Sequence, residues 1–281
     1  MVVRGAPAIG ATAGYGVALA AREGGLEAGV QAIKASRPTA RDLFYAVERV
    51  QRAAGRGGFE AALAEADAIA RENVDACRRM GELGVELLSP SPRIITICNT
   101  GALATVDYGT AFGVIRAAQE RGLEPFVYAM ETRPRAQGAR LTAWELQKLG
   151  IPHRLIADSA AGRLLQTGGA DVALAGSDRI CANGDVVNKV GTYPLALLCR
   201  EHHIPFYAVA PLSSVDFDAA SGDAVEVEER AEAEVTDFAP GGTRAWNPAF
   251  DITPAALVTA IVTERGVLRP PYRESIARLH D

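Results

Sequence analysis

The chain has 281 residues, 48% of them hydrophobic and 22% charged, with a formal net charge of −5. That balance belongs to a globular protein; it excludes a disordered or fibrous chain and argues against a broad basic footprint for duplex nucleic acid. With no apolar run of about 18 residues and no basic, greasy leader, the expectation is a cytoplasmic protein with no membrane partner.

The first 90 or so residues read as helical. Residues 6–22 are rich in Ala and Gly, with small residues recurring at Gly10, Gly14 and Ala18, a face that permits close helix packing. Residues 42–54 place Leu43, Phe44, Val47 and Val50 at helical spacing. A long Ala/Glu/Leu pattern over 59–88 predicts one helix ending at SPSPR (89–93), the best boundary in the chain. Beyond it, a β-branched run at 93–98 and further strand candidates at 126–130, 154–157, 172–175 and 206–210 alternate with helical stretches at 106–121, 138–149, 159–168 and 191–203. Such alternation predicts an α/β fold, with a parallel sheet covered by helices on both faces. The acidic stretch 218–234 reads as a solvated face, or a loop with a short helix. Asp251-Ile252-Thr253-Pro254 reads as a helix entry with Pro254 at the first helical position.

The four cysteines, Cys77, Cys98, Cys181 and Cys199, make no CxxC pair, and the four histidines make no HExxH. Reduced thiols are expected, with no disulfide framework and no metal. Neither GxGxxG after a strand nor GxxxxGK[ST] occurs, which disfavours a nicotinamide or nucleotide cofactor; none is expected.

Open α/β sheets bind ligands at the carboxyl ends of their strands. Cys98-Asn99-Thr100-Gly101, Glu131-Thr132-Arg133, Asp158-Ser159, Gly176-Ser177-Asp178-Arg179 and Pro211-Leu212-Ser213 sit there, a polar rim suited to a polar small molecule. Cys98 reads either as packing or as a thiol served by backbone N–H groups. Asp178 alone would be a turn residue or cap. Lys189 is either a surface lysine or, opposing the dipole of the helix that follows, a sign of an anion between them. Arg4 and Arg37 each stand before a predicted helix, with Ser36 or Thr39 as cap candidates; both fit phosphate capture or a solvated cap.

RGAPAIG (4–10), RPTARDL (37–43), ICNTGALAT (97–105), YGTAFGVIRAA (108–118), ETRPRAQGARLTAWEL (131–146), GSDRICANGDVVNKVGTYPLA (176–196) and WNPAFDITP (246–254) together resemble the S-methyl-5-thioribose-1-phosphate isomerase family. That family is grouped with ribose-1,5-bisphosphate isomerases and the regulatory subunits of the translation factor eIF-2B. The resemblance spans nearly the whole chain in one order. It implies a helical N-terminal domain, 1–90, a Rossmann-like catalytic domain, 91–281, without a nucleotide, and a homodimer. It implies Cys98 and Asp178 as the catalytic pair, and Arg4, Gly5, Ala6, Arg37, Gln137, Asn188 and Lys189 as the groups that bind a sugar 1-phosphate. Asn188 is expected to orient Asp178. Members of the family usually carry several tens of residues ahead of RGAP in a small β-rich piece; here three residues precede Arg4. Ile97 stands where His usually precedes the cysteine, and Arg163 lies in a segment often more apolar near the thiomethyl end, as though to accept a second phosphate.

Overall fold

The structure, a computed structural model, describes residues 2–37 and 40–280. It opens with α1 (Ala6–Arg22), α2 (Leu26–Ser36) and α3 (Arg41–Val85). Their shared core holds Ile9, Val17, Val30, Leu43, Val47 and Ala66, and the small-residue face of α1 packs against α3, with Gly14 against Val50. The two helices expected at 42–54 and 59–88 are both present as the two limbs of α3, separated by a kink of non-helical backbone at Gly57 and Gly58. Ser36 caps nothing: its hydroxyl donates to the Ile33 carbonyl at 2.7 Å, and Ala40 precedes α3. Thr39 lies outside the described residues.

From Arg93 the chain alternates: β1 (Arg93–Thr96), α4 (Ala111–Glu120), β2 (Phe126–Met130), α5 (Ala143–Lys148), β3 (His153–Ile156), α6 (Ala161–Gln166) and β4 (Val172–Ala175). A hairpin follows, β5 (Arg179–Cys181) and β6 (Val186–Lys189), then α7 (Thr192–Glu201), β7 (Phe206–Val209) and β8 (Val215–Asp216). The chain closes with β9 (Phe250–Thr253), β10 (Ala260–Thr263), β11 (Gly266–Leu268) and α8 (Tyr272–Ala277).

Seven strands make the main sheet, in the order β11-β10-β7-β4-β1-β2-β3, with only β11 antiparallel. Its strands are short apolar runs, and successive residues face opposite sides. Ile94 packs with Phe112 and Ile115 of α4, Leu146 of α5, and Cys77 and Met80 of α3. Ile95 packs with Leu165 of α6, Leu195 and Cys199 of α7, and Ile276 of α8. Both faces are therefore covered, as the alternating pattern requires, and the last turns of α3 belong to the sheet's core.

A second sheet, β8-β5-β6-β9, stands beside the first. It pairs β6 antiparallel to both β5 and β9, with Lys189 opposite Phe250 and Asn188 opposite Asp251. Here the structure corrects the expectation at 251–254: the segment is an extended strand, and Pro254 begins a single 3-10 turn, Ala255–Leu257. Pairing with β6 supplies hydrogen bonds that a helix would have to find internally, so tertiary context overrides the local Pro signal.

Candidate active site

Strand order decides where a ligand sits. The chain runs outward from β1 to β2 and β3, then returns to β4 on the other side of β1 and continues to β7 and β10. The crevice at the carboxyl ends of β1 and β4 is therefore a topological switch point. Cys98 follows β1 and Asp178 follows β4, one on each side of it.

Two adjoining cavities lie there, of about 350 and 40 Å³. Arg4, Gly5, Cys98 and Asp178 line both. The larger also takes Arg37, Gln137 and Lys189 in its walls; the smaller takes Ala6 and Asn188. All nine residues singled out from the sequence thus face one connected space, gathered from α1, the end of α2, the ends of β1, β2 and β4, and strand β6.

Local geometry presents each group. Gly5 has φ +89°, and a Cβ there would lie 2.3 Å from the Ala104 carbonyl oxygen, so only glycine lets the N-terminal segment lie against the loop after β1. Arg4 crosses that contact. Its Nη1 donates to Oδ1 of Asn99 at 2.5 Å and to the Asn99 carbonyl at 3.1 Å, and its Nη2 points at Cys98 Sγ, 3.5 Å away. Cys98 has φ +65° and is 8% exposed; its N–H donates to Thr132 Oγ1 at 2.8 Å, and its carbonyl accepts from Thr142 Oγ1 at 2.6 Å. The residue thus belongs both to the sheet's core cluster and to the cavity wall, its backbone fixed by the two threonines.

Asp178 is half-buried, and its backbone N–H donates to the Val187 carbonyl at 2.9 Å, which ties the end of β4 to β6. Burial pushes its carboxyl above the usual range; the positive charges of Lys189, Arg4 and Arg37 pull it back, and Glu228 pushes it further up. Asn188 does not orient this carboxyl as expected. Its Nδ2 donates to Thr192 Oγ1 at 2.9 Å instead, while the residue still lines the smaller cavity.

Lys189 donates to the Ala249 carbonyl at 2.5 Å and lies 4.7 Å from the Phe250 ring centroid. The anion expected between Lys189 and the following helix is a protein group. Asp251 accepts from the N–H groups of Gly191 (2.6 Å) and Tyr193 (3.1 Å) at the start of α7, and burial pushes its carboxyl up to about 6 against those donors.

Several lining residues escaped the sequence reading. Arg135 and Arg140 stand within the RPRAQGAR phrase, and Glu228 and Arg230 come from the acidic stretch read as a solvated face. Arg230 pairs with Glu228 (2.7 Å) and Glu234 (2.8 Å), Arg135 with Glu234 (2.6 Å), and Glu228 lies 3.7 Å from Arg37. The acidic stretch is the counterion layer of a basic cavity, a role that composition cannot reveal. Arg163 is a correction of the opposite kind: it is exposed on α6, donates to Gln166 at 2.9 Å, and lines neither cavity. Three atoms in the cavity wall, Gln137 Oε1, Arg37 Nε and Glu228 Oε2, are buried without a hydrogen-bond partner among the described residues. Native proteins rarely leave such atoms unpaired unless a ligand or water serves them.

The model of the Initiation factor 2 subunit family matches residues 2–270. The chain belongs to this family. Among its curated relatives, the methylthioribose-1-phosphate isomerase of Pelotomaculum thermopropionicum is 51% identical over a 300-residue alignment, covering 99% of this chain and 82% of that one. Among solved structures, 5-methylthioribose 1-phosphate isomerase from Pyrococcus horikoshii superposes with a TM-score of 0.90 at 44% identity, covering 100% of this chain and 84% of that chain. A second family member, translation initiation factor eIF-2B, subunit delta, from A. fulgidus, superposes with a TM-score of 0.85 at 43% identity, covering 99% and 87%. Enzymes and a translation factor thus share the fold at nearly equal identity, and the chemistry of the cavity must separate them.

Proposed function

We propose that this protein is an aldose–ketose isomerase that converts S-methyl-5-thio-α-D-ribose 1-phosphate to S-methyl-5-thio-D-ribulose 1-phosphate in methionine salvage. The observation that carries the reading is the placement of Cys98 and Asp178 on either side of the β1/β4 crevice, in a cavity that also holds Arg4, Arg37 and Lys189.

The reaction has a specific difficulty. Phosphate on the anomeric oxygen blocks opening to a free aldehyde, so the ring must open with the phosphate attached. A general acid protonates the ring oxygen as its bond to C1 breaks. Asp178 takes that role, since burial favours its neutral, proton-bearing form. Hydrogen then moves from C2 to C1. Cys98 acts either as the base that takes the C2 proton, which is later replaced on C1, or as the wall beside a direct hydride shift. In both routes the C2 hydroxyl loses its proton to become the ketone. Arg4, Arg37 and Lys189 grip the phosphate dianion, with Gln137, Asn188 and the Gly5 and Ala6 segment around the sugar, and that binding energy positions the ring. Leu103, Leu141 and Phe250, in the same wall, offer apolar contact to a thiomethyl tail. The volume of about 350 Å³ lies within the range of small-ligand sites. The reading invokes no cofactor and no metal. It also divides the chain into a helical domain, 1–90, and a catalytic domain, 91–281, of a cytoplasmic homodimer.

Turnover of S-methyl-5-thioribose 1-phosphate, 5-deoxyribose 1-phosphate and ribose 1,5-bisphosphate, measured side by side, tests it. The highest kcat/KM is expected for the thiomethyl sugar. A preference for the bisphosphate would shift the substrate, with Arg135 and Arg140 as the second anion site. Binding of all three without turnover would favour the second reading, a non-catalytic regulatory subunit, which the likeness to the A. fulgidus protein supports.

A further inference from the structure

We infer that Glu145, which lines neither cavity, is a positioning residue that acts through Asn99 to hold the Arg4 guanidinium against the Cys98 sulfur. The inference rests on the reading of Cys98 and Arg4 given above, and it deepens it.

Glu145 projects from α5 and is 6% exposed. Its Oε1 accepts from Asn99 Nδ2 at 2.7 Å, and its Oε2 accepts from the Ala102 N–H at 2.8 Å. A carboxylate that receives a donor on each oxygen fits the site only as an acceptor. Asn99 is 3% exposed, and its amide nitrogen is taken up by Glu145 and by Thr142 Oγ1 at 3.4 Å. Its amide oxygen must then face the other way, toward Arg4, where it accepts from Nη1 at 2.5 Å. The second arm of the same guanidinium reaches Cys98 Sγ at 3.5 Å.

The oxygen and nitrogen of an amide have nearly the same shape, so packing alone does not choose which of them faces Arg4. The wrong choice sets NH₂ against guanidinium, donor against donor. An acceptor behind Asn99 fixes the favourable orientation independently of Arg4, and Glu145 is that acceptor. Gly101 leaves room for it: a Cβ there would lie 2.3 and 2.4 Å from the two Glu145 carboxylate oxygens. Arg4 is thereby set before substrate arrives, at no orientational cost during the reaction.

The test reads the sulfur directly. Alkylation of Cys98 by iodoacetamide at one fixed pH is followed by peptide mass in wild-type protein, Arg4→Ala, Glu145→Met and the double variant; methionine keeps the length of the side chain and removes the oxygen acceptor. Arg4→Ala is expected to change the rate several-fold, roughly threefold or more, and Glu145→Met to change it in the same direction, with the double variant no further from wild type than Arg4→Ala alone, as for residues acting as one unit. A wild-type rate in Glu145→Met, or equal and multiplying effects in the two backgrounds, overturns the inference. So does a wild-type rate in Arg4→Ala. Should Glu145→Met fail to fold, Asn99→Ala reads the same link. Because alkylation needs no substrate, it judges the inference even where the isomerase assay fails; wild-type turnover judges the isomerase reading separately.

Discussion

The two sheets differ in kind, and the site uses both. The seven-stranded sheet is built from apolar strands buried on two faces, and its central strands β1 and β4 carry the proposed reacting pair. The four-stranded sheet has strands of two to four residues, and it brings Lys189 and Phe250 into the cavity wall. The groups that must be fixed to fractions of an ångström stand on the deep core. Of the three groups proposed to grip the phosphate, where a wider range of geometries works, Lys189 stands on the lighter one and Arg4 and Arg37 on the segments before α1 and after α2.

Substitutions should separate the two layers. Ile95→Ala, at a fully buried position of β1, should cost about 2–5 kcal/mol in urea unfolding, whereas Ile252→Ala, half-buried on β9, should cost clearly less and act mainly by raising KM. Equal losses would mean that the small sheet is no lighter than the large one. Next in size, Cys98→Ser and Asp178→Asn should each lower kcat by roughly 10²-fold or more with Tm little changed, the scale of positioned acid–base groups. Near-normal turnover in either variant would remove that residue from the mechanism. Lys189→Ala should raise KM by about tenfold with kcat nearly unchanged, if it holds phosphate equally in ground and transition states. A fall in kcat at constant KM would contradict that role.

The smallest effect is electrostatic. Carboxyl titration followed by NMR should place Asp251 near its expected value of about 6. A folded-state pKa above the unfolded one means that the native state binds the proton more tightly, so this group's contribution to stability falls as pH rises from about 4 to about 6. A midpoint near the unfolded value would show that the Gly191 and Tyr193 N–H groups offset its burial. The same sign applies to Asp178: activity that needs its proton should decline as pH rises through its elevated pKa.

This contrast also governs what could be read in advance. Strands 126–130 and 172–175 of the large sheet were legible to the residue, because each is a short apolar run set between helical patterns. Cys98 and Asp178 were legible by place, since the ends of parallel strands are where ligands bind. The small sheet was not. Residues 250–253 are half polar, and Pro254 mimics a helix start; only their pairing with β6 makes them a strand. The acidic stretch hid Glu228 and Arg230 for a related reason: its partners, Arg37 and Arg135, are about a hundred or more residues away in the chain. Glu145 carried no local signal at all, because its meaning lies in an amide 46 residues earlier.

The return of the chain from β3 to β4 has a consequence for biogenesis. Cys98 and Asp178 come together only through the pairing of β1 with β4, in which Ile94 meets Val172. A nascent chain that has formed β1, β2 and β3 holds the sulfur without the acid. Under the proposed chemistry such a species lacks the proton donor, and the two groups share one crevice only once the fourth strand docks beside the first.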